Sequence, residues 1–185
     1  MKIEKTELKD AYIIEPDCFG DSRGWFMETY SKVKLEEITD IDFVQDNQSY
    51  SSQKGIIRGL HCQNNPHCQT KLIRCTRGEI YDVIVDIRKG SPTYKKWIKV
   101  LLTAENKKQL FIPKGFLHGF VTLTDDVEVQ YKVDEFYNKE TDRSVRFDDP
   151  EFGVEWGVEE PILSDKDKNA PLYKDSDCDF IYEEK

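Results

Sequence analysis

Two stretches of strict alternation constrain this chain's fold more than any other feature. In Glu79–Ile87, Tyr81, Val83, Val85 and Ile87 alternate with Ile80, Asp82, Ile84 and Asp86, so one face is wholly apolar. In Val127–Val133, Val127, Val129, Tyr131 and Val133 share one face, and Glu128, Gln130 and Lys132 share the other. A period of two belongs to a strand, because successive side chains leave its pleat on opposite sides. Tyr131 therefore points inward with the valines, where its hydroxyl needs a hydrogen-bond partner.

Further strands are expected at Ala11–Glu15, Trp25–Tyr30, Lys96–Thr103 and Gln109–Ile112, with extended chain from Phe43 to Gln48. Ser31–Ile38 is the best helix candidate, with Ser31 as N-cap. From Phe147 onward Asp, Pro and Gly are frequent, and the chain reads as ordered loops crossing the surface. Within it, Leu163-Ser164-Asp165-Lys166-Asp167 reads on its own as a solvated turn. Short strands separated by turn residues imply an all-β sandwich or barrel with a few short peripheral helices. Without an internal repeat, low-complexity tract or linker, residues 1–185 are expected to form a single domain.

The net charge is −9, which argues against a nucleic-acid surface while leaving room for a phosphate-bearing small ligand. No apolar run approaches the roughly 20 residues of a membrane helix. The N-terminal residues lack the apolar core of a signal peptide. Five cysteines (Cys18, Cys62, Cys68, Cys75 and Cys178) without C-x-x-C pairing fit reduced thiols. A cytoplasmic protein is expected.

Histidine is the scarce residue. Of three, His61 and His118 lie among glycines and apolar strand formers, in Ile56-Ile57-Arg58-Gly59-Leu60-His61 and Ile112-Pro113-Lys114-Gly115-Phe116-Leu117-His118-Gly119-Phe120. Histidine takes or gives a proton near neutral pH, so such placement suggests chemistry or close ligand approach. His61-Cys62 and His67-Cys68 together offer four soft ligands. Neighbours on a strand point to opposite faces, which disfavours convergence on one ion.

Pro113-Lys114-Gly115-Phe116-Leu117-His118 matches the P-x-G-x-x-H element of cupin barrels. The earlier metal-binding element of such barrels needs further histidines, and here Cys62 and Gln63 follow His61. The ligand count fails for a metal cage, which favours metal-free acid/base chemistry or a binding role.

Several separated motifs extend the match. They are Phe19-Gly20-Asp21-Ser22-Arg23-Gly24-Trp25-Phe26-Met27-Glu28, Phe43-Val44-Gln45-Asp46-Asn47, Ile57-Arg58-Gly59-Leu60-His61-Cys62-Gln63, Lys71-Leu72-Ile73-Arg74, Tyr131-Lys132 and Leu163-Ser164-Asp165-Lys166-Asp167. Taken in this order, the chain resembles the dTDP-4-dehydrorhamnose 3,5-epimerase family. The resemblance implies a jelly-roll cupin barrel, a homodimer, and no metal or cofactor. It also implies epimerisation at C3 and C5 of a dTDP-linked 4-keto-6-deoxyhexose. His61 matches the family's base, Asp167 the carboxylate that orients it, and Tyr131 the acid on the opposite face. Lys71 falls where a cation neighbours the substrate ketone, and His118 is expected to line the same pocket. Arg23, Glu28, Gln45, Asn47, Arg58 and Lys166 align with nucleotide and sugar contacts. Tyr137 matches the ring that stacks on the base, with help from Phe26.

Two features depart from a simple transfer. Cys62 stands where the family usually has an aromatic residue, which is expected to enlarge or soften the site beside His61. Plain alternation would also put Arg58 and His61 on opposite faces, so a bulge or twist is expected at Gly59. His67 is expected to be an exposed loop histidine. Alternatives are a relative acting at C3 or C5 alone or on another nucleotide-linked 4-keto sugar, a silent sugar-nucleotide-binding cupin, and a metal-dependent cupin.

Overall fold

The computed structural model describes residues 1–184. Its strands are β1 (Lys2–Lys5), β2 (Tyr12–Glu15), β3 (Cys18–Asp21), β4 (Gly24–Met27), β5 (Gln45–Ser51), β6 (Ile57–Gln63), β7 (Lys71–Arg77) and β8 (Glu79–Asp86). They continue as β9 (Arg88–Lys89), β10 (Trp97–Thr103), β11 (Gln109–Ile112), β12 (Phe116–Thr122), β13 (Val127–Val133), β14 (Asp142–Ser144) and β15 (Phe180–Ile181). Two short helices, α1 (Lys32–Leu35) and α2 (Asp165–Lys168), interrupt them. Six strands pair in the order β1-β2-β11-β7-β13-β5, and five in the order β10-β8-β12-β6-β14.

The two sheets close on one apolar core. Ile80, Ile84, Leu102, Phe116 and Phe120 from the five-stranded sheet meet Ile73, Leu110, Ile112, Val127 and Val129 from the six-stranded one. Such facing sheets form the cupin-type jelly roll expected of the chain. Each sheet is also covered on its outer face. The C-terminal stretch lays Phe152, Trp156, Tyr173 and Phe180 over Leu60, Val83, Val85 and Leu117. Leu35 from α1 packs with Ile14, Leu72 and Phe111 behind the other sheet.

This double covering refines the reading of Glu79–Ile87. The wholly apolar Val83–Val85 face turns outward under the C-terminal stretch, while Ile80, Asp82 and Ile84 face the barrel interior. A strand buried on both faces does not betray which face is inner. The expected helix Ser31–Ile38 contracts to one turn, and Ser31 holds the N-cap position without a side-chain cap bond. Lys2–Lys5 and Cys18–Asp21 form strands that the sequence pattern did not signal. Among the described residues no helix is long and apolar enough to cross a membrane.

Candidate active site

The site begins with an irregularity in β6. His118 on β12 pairs with His61, but two residues further along β12, Phe120 pairs with Arg58, three residues back along β6. One extra residue in β6 is a β-bulge, and it restores Arg58 and His61 to the same face. Glycine is required there. Gly59 has φ +120°, and a Cβ on it would stand 2.6 Å from the Cα of Gly119 and 2.7 Å from the His118 carbonyl oxygen. A Cβ on Gly119 would in turn meet the Arg58 carbonyl oxygen at 2.7 Å. The bulge expected from Gly59 is therefore present, built from two glycines in close backbone approach.

Past the bulge, alternation resumes. Leu60 and Cys62 join the outer cluster, and His61 faces inward beside His118. The expectation that Cys62 would enlarge or soften the site is corrected, since its thiol packs behind the sheet against Cys178.

His61 has 30% of its side chain exposed, and its Nε2 lies 2.5 Å from Oδ1 of the buried Asp167. Asp167 belongs to α2, where the Ser164 hydroxyl caps the helix by accepting from the Asp167 N–H at 3.1 Å and donates to Asp167 Oδ2 at 2.9 Å. The solvated turn expected from these residues read in isolation is thus a capped turn delivering a buried carboxylate. Burial pushes that carboxyl up, but bonding to His61, Ser164 and the Gly59 N–H outweighs it and holds the group below the usual carboxylate range. An ionised Asp167 fixes the proton of His61 on Nε2 and leaves Nδ1 as the basic nitrogen.

His118 is arranged differently. Its Nε2 lies 2.9 and 3.1 Å from the two carboxylate oxygens of Asp82, which is wholly buried on the adjoining strand β8. Burial lowers the His118 pKa despite the attraction of Asp82, and the nearby charges of Lys71 and His61 act in the same direction. The neutral ring donates from Nε2 to Asp82.

The six-stranded sheet supplies the facing wall. In β13, Tyr131 pairs with Asn47 of β5 and Ile73 of β7, and Lys71 lies one pleat along with its Nζ 5.8 Å from the Tyr131 ring centroid. Burial raises the Tyr131 phenol, keeping it protonated, and burial lowers the Lys71 ammonium. Gln45 donates to Asn47 Oδ1 at 2.8 Å on the same face. Arg58 bridges the sheets, donating to the Ser51 hydroxyl at 3.1 Å and the Tyr50 carbonyl at 2.9 Å. At the rim, Asp142 accepts from Lys166 Nζ at 2.6 Å and from the Tyr137 hydroxyl at 3.4 Å.

The structure thus brings together His61, Asp167, His118, Tyr131, Lys71, Gln45, Asn47 and Arg58, with Tyr137 and Lys166 at the edge. It does not bring Arg23, Phe26 and Glu28 there within one chain. β3 and β4 pair only with each other, Arg23 is 87% exposed and bound to Asp21, and Phe26 is exposed. Glu28 pairs with Lys34 at 2.9 Å, beside α1 behind the six-stranded sheet. The side chains of the His-Cys cluster find separate partners. His67 lies 3.8 Å from Glu135 and the Cys68 thiol donates to Asn65, while His61 and Cys62 face opposite ways.

Sequence reasoning missed Asp82, Asp142 and Ser164 as working parts. Asp82 did carry a signal, because a carboxylate between Ile80 and Ile84 on a buried strand requires a partner. Ser164 carried the S-x-x-D capping pattern. Asp142 lay in a polar loop and carried none.

A cupin barrel whose mouth sets a carboxylate-bound histidine among a phenol, a lysine and phosphate-suited arginine and amide groups defines a sugar-nucleotide isomerase. The comparisons agree. The dTDP-4-dehydrorhamnose 3,5-epimerase family model matches residues 5–175. A Shigella flexneri dTDP-4-dehydrorhamnose 3,5-epimerase is 50% identical over 179 residues, covering 96% of this chain and 98% of the relative. The Bacillus anthracis enzyme of that name, solved with TDP and pyrophosphate bound, superposes with a TM-score of 0.90 at 52% identity, covering 92% of this chain and 98% of the other. A Legionella pneumophila dTDP-6-deoxy-D-glucose-3,5-epimerase, in complex with dTDP-4-keto-L-rhamnose, gives 0.93 at 41% identity and 99% coverage of both chains. The chain belongs to the dTDP-4-dehydrorhamnose 3,5-epimerase family.

Proposed function

We propose that this enzyme epimerises C3 and C5 of dTDP-4-dehydro-6-deoxy-D-glucose, yielding dTDP-4-dehydro-L-rhamnose. The C4 ketone acidifies the C–H bonds on both neighbouring carbons, because each carbanion is an enolate. His61 Nδ1 removes the proton, with Asp167 stabilising the imidazolium that results. Tyr131, protonated and on the opposing sheet, returns a proton to the other face. Lys71 stabilises the enolate oxygen, and His118 supports the sugar beside it. Arg58, Gln45, Asn47 and Lys166 hold the sugar and diphosphate, and Tyr137 stacks on the base.

The observation that carries this reading is the facing arrangement: a partly exposed histidine bound to a buried carboxylate on one sheet, and a half-buried phenol with a lysine beside it on the other. Base and acid on opposite walls are what inversion at carbon requires.

The exposed hairpin adds a reason for a homodimer. Arg23 and Phe26, aligned with nucleotide contacts, project from β3–β4 into solvent and have work to do only at another chain's site. Five free thiols fit a reducing, cytoplasmic setting.

The decisive assay incubates the protein with dTDP-4-keto-6-deoxy-D-glucose in heavy water and follows deuterium by NMR, with an NADPH-dependent reductase trapping product. Label at both C3 and C5 is expected. Label at one carbon alone would replace this reading with that of a single-site epimerase.

A further inference from the structure

We propose that Cys62 and Cys178 form a reversible disulfide that pulls on the strand carrying His61 and slows the enzyme. Their sulfurs are 3.6 Å apart, and both side chains are buried in the apolar cluster behind the five-stranded sheet. The remaining cysteines are otherwise engaged: Cys18 is exposed, the Cys68 thiol, in the same cluster, donates to Asn65, and the Cys75 thiol donates to the Arg77 and Gly78 carbonyls.

The pairing is held by two anchors on Asp177, the residue before Cys178. Arg143 Nε donates to Asp177 at 2.6 Å, and Asn64 donates to the Asp177 carbonyl at 3.1 Å. Both anchor residues flank Cys62 in space, since Arg143 is its register partner in β14 and Asn64 follows β6. The C-terminal segment therefore presents Cys178 to one place on the sheet. The two thiols differ in character. Either sulfur can donate in the bond that joins them, and Ser176 adds a contact that favours the Cys178 thiolate.

Cys178 is accordingly the sulfur that reacts first. With a small hydroperoxide such as hydrogen peroxide, the Cys178 thiolate attacks one oxygen, the O–O bond breaks, and hydroxide leaves, giving a sulfenic acid. The Cys62 sulfur then attacks Cys178, the S–O bond breaks, and the Cys62 proton leaves with the hydroxyl as water. The sum is two thiols and one peroxide giving one disulfide and two waters. A disulfide bond is about 2.05 Å long. The sulfurs must close by about 1.5 Å from their present 3.6 Å separation. Cys62 directly follows His61, so that movement is transmitted to the backbone that aims the imidazole. Displacement of a catalytic group by about 1 Å costs up to about a hundredfold in rate.

The slowing rests on the epimerase reading above; the linkage does not. The test treats the full-length protein with hydrogen peroxide, alkylates it, and maps thiols by mass spectrometry while measuring deuterium exchange at C3 and C5. The expected result is a Cys62–Cys178 linked peptide, a fall in exchange of about tenfold or more, and full recovery with dithiothreitol. The Cys178→Ser variant should keep its exchange in peroxide, and Cys62→Ser serves as a second unlinked control. Separate alkylation of Cys62 and Cys178 after treatment would overturn the pair, and a mapped linkage with unchanged exchange would overturn the slowing. Absence of exchange in untreated protein would strike at the epimerase reading, and the peptide map would still decide the linkage.

Discussion

Two histidine–carboxylate pairs stand side by side in this barrel, and they are built for different work. His61 reaches across to Asp167, a residue more than a hundred positions away on a one-turn helix, and keeps 30% of its side chain open. His118 reaches sideways to Asp82 within its own sheet, and both are buried. The first pair can pick up and release a proton, because solvent or substrate reaches the ring while the carboxylate holds the opposite nitrogen. The second is sealed, with burial favouring the neutral ring. Histidines in register on adjacent strands thus differ in access: in the proposed mechanism His61 carries the proton, and the sealed His118 is a fixed donor–acceptor. The decisive variable is the access left around each pair, not the identity of its members.

The largest effect that can break this comparison is His61→Ala. It should reduce deuterium exchange at both carbons about a thousandfold or more, because the proposed base is removed. Near-normal turnover in that variant would end the assignment of His61. Tyr131→Phe comes next: product formation should fall about a hundredfold while substrate wash-out of deuterium persists, because abstraction survives and only reprotonation is lost. Equal loss of both signals would move Tyr131 from acid to positioning group.

Asp167→Asn should lower kcat by about 10- to 100-fold with substrate KM little changed, as the imidazolium loses its counter-charge. His118→Asn should be milder, about tenfold and mainly in KM, through one hydrogen bond to bound sugar. If His118→Asn damaged kcat as deeply as Asp167→Asn, the division of labour would fail.

The smallest effect is on stability. The folded His118 takes its proton below the ordinary histidine value of 6.5, so the unfolded chain holds more protons just below that pH. Stability therefore falls as pH drops through 6.5, and the fall ends once the folded ring is protonated too. Its slope approaches about 1.4 kcal/mol per pH step of one while only the unfolded chain carries the proton. For Asp167, also lowered in the fold, the corresponding loss begins only near 3.8. Melting temperatures measured from pH 8 to 5 should decline less steeply in His118→Asn than in the parent, and parallel slopes would contradict the sealed, neutral His118.

Much of this was legible in the residues. The alternation of Val127–Val133 placed Tyr131 inward, and Gly59 between Arg58 and His61 announced the bulge that lets both face the site. The motif resemblance supplied Asp167, which composition alone would have left in a solvated turn. Two kinds of information stayed hidden. The partner of His118 required knowing that the Asp82 face, not the valine face, is inner, and a strand covered on both sides has no sequence pattern that says so. The separation of Arg23, Phe26 and Glu28 from His61 likewise depends on where an exposed hairpin projects.

The sequence by itself determined the period of the strands, the glycines that permit close backbone approach, and the kinds of groups available for proton transfer. These follow from local sterics and side-chain chemistry, which neighbouring residues dictate. Tertiary structure alone decided which carboxylate meets which histidine, which face of each strand is inner, and that Cys62 turns away from the site toward Cys178. Those outcomes rest on contacts between residues distant in the chain, where the packing of covering layers, rather than local preference, sets burial and access.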